Sequence, residues 1–254
     1  MASRDRSLDA VTFDYWGTLV WERPGELAGR RVEAWARILA AAGLVADRQA
    51  LAEAGQAAWH AYEASWLANR QYLGTHAIHD VLVAVGVDAP ARVRAELVGA
   101  CAVIAREAGL NLADGIRDCL RQLREAGVRL GIVCDVGMTP SVALREHLDR
   151  QGLLELFDHW SFSDEVGWYK PAAEIFQHAL AGLGDPDPAR TAHIGDRRRT
   201  DVAGARGMGM VSVRYAGLYD DGEDLPEADH VITHHVELPA IVGVGRPRSG
   251  PGSG

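Results

Sequence analysis

Four residues far apart in the chain carry side chains that could form one catalytic site: Asp14, Lys170, Asp196 and Asp201. Asp14 directly follows a short apolar run, and the carboxyl ends of strands are where open α/β sheets build their sites. A carboxylate can act as a nucleophile whose covalent intermediate splits one difficult displacement into two easier steps. Several carboxylates at one site repel each other unless cations neutralise them. The sequence therefore predicts an aspartyl nucleophile balanced by a lysine and a metal ion.

Lys170 is the only lysine among 26 lysine and arginine residues. Lysine is a compact point charge on a flexible stem, and the planar fork of arginine does not substitute for it freely. Its retention in the pair Lys170-Pro171 favours a position between carboxylates over chance retention at the surface.

From residue 109 onward, helical segments alternate with short apolar strand-like runs, which predicts a parallel sheet with helices on both faces. No strand-like run occurs between residues 24 and 109. Alanine-rich helical segments are predicted there instead, at 24–42, 48–69, 75–85 and 90–108. Aromatic residues at helical spacing are expected to fill the interior of this unit: Trp35, Trp59, Tyr62 and Trp66. A helical block is thus inserted between the first strand and the rest of the sheet.

Four short segments resemble the motifs of the haloacid dehalogenase superfamily, whose members are mostly phosphatases and less often dehalogenases or mutases. They are residues 13–19 (FDYWGTL), Cys134-Asp135, Lys170-Pro171, and Gly195-Asp196 followed by Asp201. The resemblance implies an α/β fold with a Rossmann-like parallel sheet core and an inserted α-helical cap domain. The expected boundaries are 1–20 and 109–245 for the core, 21–108 for the cap, which would supply substrate contacts, and 246–254 for a flexible tail.

The resemblance also implies roles for individual residues. Asp14 would form an aspartyl-phosphate or, in a dehalogenase, an ester. Magnesium would be held by Asp14, Asp196, Asp201 and the backbone carbonyl of Trp16. The remaining assignments are Lys170, Thr18 and Cys134 as catalytic residues and Asp135, Trp16 and Gly17 as substrate-binding residues. Asp201 could instead cap the helix that starts at Val202.

Two positions depart from the phosphatase pattern. Trp16 stands where these phosphatases carry a second aspartate that protonates the leaving group, and an indole cannot do this. Cys134 stands where the family has Ser or Thr, so either a poorer thiol donor or backbone amides would contact the phosphate. Dehalogenases carry an aromatic residue at the position of Trp16. The acidic pair Asp196 and Asp201, however, is the metal-binding version of its loop.

The sequence therefore favours a Mg²⁺-dependent phosphatase acting on a small phosphorylated metabolite. The alternatives are a metal-free 2-haloacid dehalogenase and a catalytically weakened binding or regulatory protein. The net charge of −9 argues against a nucleic-acid partner, and no apolar window reaches membrane-spanning length. Three cysteines without metal-type spacing indicate a reduced, cytoplasmic location. His193 is expected to point into the sheet. The run Arg197-Arg198-Arg199 could contact substrate phosphate, but solvated surface is favoured.

Overall fold

The computed structural model describes residues 7–107 and 110–244, without the side chains of residues 103–107. Its centre is a six-stranded, wholly parallel sheet with the strand order β5-β4-β1-β6-β7-β8. These strands are β1 (Ala10–Phe13), β4 (Arg129–Cys134), β5 (His159–Phe162), β6 (Thr191–Gly195), β7 (Val211–Tyr215) and β8 (His230–Ile232). A separate antiparallel pair joins β2 (Val20–Trp21) to β3 (Asn111–Leu112). The sequence analysis missed this pair because two-residue strands leave no periodic pattern.

Helices cover the sheet and form the inserted unit. The inserted helices are α1 (Glu26–Ala41), α2 (Arg48–Leu67), α3 (Gly74–Ala84) and α4 (Ala91–Glu107). The other helices are α5 (Ile116–Glu125), α6 (Ser141–Arg150), α7 (Ser163–Val166), α8 (Ala173–Gly182), α9 (Ala203–Gly207) and α10 (Leu238–Val242). Single turns of 3₁₀ helix occur at Leu154–Leu156, Pro188–Arg190 and His235–Glu237, and a π-helical turn at Arg198–Val202 precedes α9.

The central strand β1 fixes where a site can form. Its four residues are fully buried, and it pairs with β4 on one side and with β6 on the other. The backbone N–H of Asp14 extends the pairing by donating to Ile194 O at 2.8 Å. The chain leaves β1 on one side of the strand order and later returns on the other, so the carboxyl ends of these three strands surround a topological switch point.

The inserted helices pack around a hydrophobic cluster of their own, which contains Trp35 and Leu51 from α1 and α2. Asp47 caps α2 by accepting a hydrogen bond from the N–H of Ala50 at 2.9 Å. Met138 and Tyr169, from loops that follow strands of the sheet, complete this cluster. The helical unit is therefore packed directly on the carboxyl-end loops of the sheet.

The predicted α/β fold class, a Rossmann-like parallel sheet, is confirmed. We propose that α1–α4 form the cap that the sequence predicts over 21–108, on a core at 1–20 and 109–245. The predicted tail at 246–254 lies outside the described residues. Within the two described ranges, no helix is both long enough and apolar enough to cross a membrane.

Candidate active site

The structure brings together the four residues that the sequence singled out. Asp14 follows β1, and the Lys170 ammonium lies 2.6 Å from its Oδ1 and also 2.6 Å from Oδ1 of Asp201. Asp14, Asp196 and Asp201 each offer a carboxylate oxygen, and these oxygens all lie within 4.8 Å of one another. All four side chains are buried, so a cluster of three carboxylates and one lysine closes the end of the sheet.

Asp196 follows β6 and differs from the other two carboxylates in having no side-chain hydrogen-bond partner within the described part of the chain. The nearest cationic atom is Arg197 Nε, at 3.9 Å from Oδ2. Asp196 also lies against the turn that follows Asp14, because a Cβ placed on Gly17 would be 2.6 Å from Asp196 Oδ2. Gly17 has a φ of +71°, so both the backbone conformation and the space favour glycine.

Asp201 is held by several donors at once. Its Oδ1 lies 3.0 Å from Nε2 of His193, and its Oδ2 accepts the backbone N–H of Arg197 at 3.0 Å. His193 Nδ1 lies 2.8 Å from the Thr12 hydroxyl, so a neutral ring can accept from Thr12 and donate to Asp201. Asp201 belongs to the π-helical turn, so the alternative that it caps the following helix is wrong.

His193 is a positioning residue that the sequence analysis undervalued. Its fully buried ring does point into the protein, as expected, but it reaches the acidic loop there. Eight residues separate His193 from Asp201, and no local motif links them. The signal that could have found it is the polar residue inside an otherwise apolar strand that leads directly to Asp196.

The charges of this cluster are strongly coupled. Burial, followed by the negative charges of Asp201 and Asp196, raises the pKa of Asp14 well above its usual value against the opposing effect of Lys170. Burial and then Asp201 raise the pKa of Asp196 to about 7. Burial opposes the charge on Lys170, but Asp14 and Asp201 outweigh it and raise the lysine pKa. Three carboxylates facing one lysine thus leave a need for further positive charge.

The cluster lies on one wall of a cleft of about 370 Å³ between the sheet and the inserted helices. Trp16 lines the cleft and packs edge-on against Tyr15, at 5.1 Å between ring centroids. The helical unit contributes three further aromatic side chains to the walls: Trp59, Tyr62 and Trp66. The expectation that all four of its aromatics fill its interior is therefore correct for Trp35 and Tyr62, partly correct for Trp66, and wrong for Trp59, which is exposed. Helical spacing identifies a shared face but not the neighbour that this face meets.

Asp135 joins the sheet to the helical unit. One carboxylate oxygen accepts the backbone N–H of Lys170 at 2.9 Å, and the other accepts the indole N–H of Trp66 at 2.7 Å. Burial raises the pKa of Asp135 to about 6, although Lys170 and these hydrogen bonds lower it. Asp135 lines the cleft, and the sequence predicts that it binds substrate there. Its hydrogen bonds also join the two walls of the cleft on one side.

Two of the predicted catalytic residues do not line the cleft. Cys134 is fully buried, with its Sγ 3.5 Å from the backbone carbonyl of Asp135, and burial raises its pKa well above the usual value. Thr18 is also fully buried, with its hydroxyl unpartnered and its backbone carbonyl 2.9 Å from His235 Nε2. Neither side chain lines the cleft in this structure, so a catalytic role for either stays a prediction.

The arginine run is not simply solvated surface. Arg198 is mostly buried and paired with Asp221 and with Glu227, whose Oε2 lies 2.7 Å away. Arg197 and Arg199 lie over the Trp66 ring, at 5.7 and 5.8 Å from its centroid. The run therefore ties the acidic loop to the rest of the molecule.

Comparison with known proteins agrees with this geometry. The family of haloacid dehalogenase-like hydrolases matches residues 8–209. A glyceraldehyde 3-phosphate phosphatase of Methanocaldococcus jannaschii is 36% identical over 124 residues, which are 48% of this chain and 53% of that protein. The chain thus spans about half the length of this curated relative.

Two solved structures share the fold over nearly the whole chain. A HAD phosphatase from Thermococcus onnurineus superposes with a TM-score of 0.64 at 24% identity, covering 94% of this chain and all of that one. A 2-haloacid dehalogenase from Pseudomonas syringae superposes with a TM-score of 0.66 at 21% identity, covering 92% of this chain and 98% of the other. Phosphatases and dehalogenases are thus equally close in fold, and the choice between them depends on the site.

Proposed function

We propose that this chain, which belongs to the haloacid dehalogenase-like hydrolases, is a magnesium-dependent phosphatase. Its substrate would be a small phosphorylated metabolite, attacked by Asp14. The observation that carries the proposal is the buried cluster in which three carboxylates lie within 4.8 Å of one another around Lys170. A metal-free dehalogenase has no need of the unpaired carboxylate of Asp196.

The donor set fits magnesium. Mg²⁺ prefers oxygen ligands, keeps several waters and is usually bound by one or two carboxylates together with substrate phosphate. Asp14 Oδ1 contacts Lys170, but no described residue donates to its Oδ2, and the Asp196 carboxylate accepts only from its own backbone. Both oxygens of Asp201, in contrast, already accept hydrogen bonds from other residues. We therefore assign Asp14, Asp196 and the Trp16 carbonyl as ligands, with Asp201 in support. When bound, the ion would supply the missing positive charge and polarise the phosphate.

The chain's own residues account for the first chemical step. A carboxylate oxygen of Asp14 forms a bond to phosphorus as the bond from phosphorus to the leaving oxygen breaks, which gives an aspartyl-phosphate and an alcoholate. Lys170 holds Asp14 in place and screens its repulsion from the phosphate. Asp201, fixed by His193, in turn holds Lys170. Water then hydrolyses the aspartyl-phosphate and restores Asp14.

Trp16 limits what the enzyme can hydrolyse well. No carboxylate occupies its position to protonate the leaving oxygen, so substrates with good leaving groups should react fastest. The same residue supports the second candidate, a 2-haloacid dehalogenase, because a halide leaves without a proton and the aromatic walls of the cleft suit a compact apolar acid. The third candidate, a catalytically weakened binding or regulatory protein, gains support from the two departures from the phosphatase pattern, Trp16 and Cys134.

A substrate screen tests the proposal. Phosphate esters, acyl phosphates and 2-haloacids are assayed with Mg²⁺ and with EDTA, on wild type and on Asp14→Asn and Asp196→Asn. We expect phosphate release that needs Mg²⁺ and is lost in both variants while their circular dichroism is unchanged. Halide release that is indifferent to EDTA and survives in Asp196→Asn would establish the dehalogenase instead.

We also propose a cytoplasmic location, which the three free, buried cysteines support.

A further inference from the structure

The helical unit places one cation in the wall of the cleft, on a different element from the carboxylate cluster. Arg31 of α1 lines the cleft and is 7% exposed. One of its terminal nitrogens donates to the Thr139 hydroxyl at 2.9 Å, which ties α1 to the loop after β4. Its Nε is buried and has no hydrogen-bond partner.

This guanidinium is poorly compensated. No carboxylate oxygen of the described residues lies within 4.0 Å of it. Its other side-chain hydrogen-bond partner is the thiol of Cys101, a weak acceptor whose pKa is raised by burial, so that it does not serve as a counter-ion. Glu22 lines the same cleft, and its negative charge partly offsets the cost of burying the Arg31 guanidinium. Its Oε2, however, accepts the backbone N–H of Leu27 at 3.3 Å and forms no hydrogen bond with Arg31. A buried cation without a hydrogen-bonded counter-ion is costly, so contact with an anion would stabilise this arrangement.

We propose that Arg31 and Thr139 bind a carboxylate on the substrate, so that the enzyme acts on phosphate esters or acyl phosphates that also carry a carboxylate. Arg31 offers its unused Nε–H, and the Thr139 hydroxyl, which accepts from Arg31, has a proton of its own to donate. A guanidinium presents its donors in a fork that matches the two oxygens of a carboxylate.

A single negative charge fits better than a second phosphate. One guanidinium neutralises one carboxylate, whereas a phosphate dianion would leave excess negative charge in a cleft that Glu22 and Glu63 also line. Several aromatic side chains line the same cleft as Arg31 and Asp14, among them Trp16 and Trp66. Such walls suit a small apolar or planar body joining the two anionic groups.

The claim that a phosphate reacts at Asp14 rests on the proposed phosphatase function. The test therefore examines binding of the substrate carboxylate separately from reaction of the phosphate. The substrates are 3-carboxyphenyl phosphate and 3-carbamoylphenyl phosphate, which share a shape and differ in charge. We expect wild type to prefer the carboxylate by roughly 10- to 100-fold in kcat/KM, mostly through KM, as one charged hydrogen-bonded contact provides. Arg31→Gln should bring the ratio of kcat/KM for the two esters close to one, mainly by raising KM for the carboxylate.

Arg30→Gln is the matched control, because Arg30 lies next in α1, is exposed and pairs with Glu26. It should keep the wild-type preference. If Arg31→Gln does not fold, Thr139→Val and Arg31→Lys test the same contact, and each should weaken the preference. A preference that survives in these variants, or equal hydrolysis of both esters by wild type, would overturn the carboxylate site.

Binding without turnover covers the case in which no phosphate ester is hydrolysed. Benzoate and benzamide are titrated into wild type and Arg31→Gln and followed by thermal unfolding. We expect benzoate alone to raise Tm, and only in wild type. That result with no phosphatase activity would sink the proposed function and leave the anion site standing. Equal shifts by the two ligands would reject the anion site.

Discussion

The indole of Trp66, from the inserted helix α2, donates a 2.7 Å hydrogen bond to the Asp135 carboxylate at the end of the central sheet. Sixty-nine residues separate the two partners in sequence. Because both line the cleft, this contact fixes the distance between the helical unit and the catalytic wall. A substrate must therefore either fit the cleft as it stands or enter while this hydrogen bond is broken.

Trp66→Phe keeps the ring and removes the donor. We expect the free energy of unfolding to fall by roughly 0.5–1.5 kcal/mol, since a partly buried carboxylate oxygen loses its donor and becomes open to water in the cleft. The pKa of Asp135, already raised to about 6, should rise further. Urea unfolding measures the first effect. Trp59→Phe is the control, because Trp59 is 43% exposed. Equal destabilisation by the two variants would show that the hydrogen bond contributes nothing.

Gly17→Ala should disable the site. The new Cβ would meet Asp196 Oδ2 at 2.6 Å, and φ of +71° is unfavourable for alanine. We expect about a 100-fold loss in kcat/KM, because a displaced carboxylate misplaces the reacting groups. Gly127→Ala is the control, since it has a φ of +78° but no atom within 4 Å of its Cβ. Both should lose similar stability in urea, and only Gly17→Ala should lose activity and Mg²⁺-induced stabilisation.

Trp16→Asp should widen the range of substrates. In wild type we expect aryl and acyl phosphates to react far faster than alkyl phosphates, because no side chain at this position protonates the leaving oxygen. An aligned carboxylate should raise alkyl phosphate hydrolysis by up to roughly 100-fold and change aryl phosphate hydrolysis less. The two rates are compared at equal folded fraction. Equal wild-type rates on both classes would mean that another residue already supplies the proton.

His235 should make the protein sensitive to mild acid. Its buried ring stacks on Tyr215 at 4.2 Å between centroids, and burial lowers its pKa from 6.5 to about 4. Below pH 6.5 the unfolded chain binds a proton on His235, whereas the folded protein does not do so until about pH 4. The contribution of His235 to the free energy of unfolding is therefore fully present above pH 6.5 and is lost as the pH falls toward 4. We expect His235→Gln, which retains a donor for Thr18 O, to lose about 2 kcal/mol less than wild type between pH 7 and 5.

Urea unfolding at the two pH values measures this difference. The exposed His79, changed to Gln, serves as the control and should behave as wild type. An unchanged pH dependence in His235→Gln would contradict the neutral, buried state of the ring.

The site residues that could be predicted from the sequence are those that lie in short local motifs. Asp14, Lys170 and Asp196 each follow a strand or start a loop with recognisable neighbours, and the parallel sheet brings strand ends together. Contacts that cross the chain left no such trace. Arg31 meets Thr139 across 108 residues, and its place in α1 looks like any other polar helical position. Which face of a helix meets a cleft depends on packing, which composition and period do not encode.

Cys134 and Thr18 show the opposite case. Their positions in the motifs suggested contact with substrate, but the turns that carry them aim both side chains into the core. A motif therefore located the loop correctly while the side-chain direction depended on a backbone conformation that the sequence does not show.

The burial of the sole lysine has a practical consequence for labelling. Lys170 is 3% exposed between two carboxylates, and no other ε-amine exists in the chain. Amine-directed reagents should therefore leave Lys170 unmodified in the folded protein. Label recovered on Lys170 would then measure the fraction of molecules that had unfolded around the site.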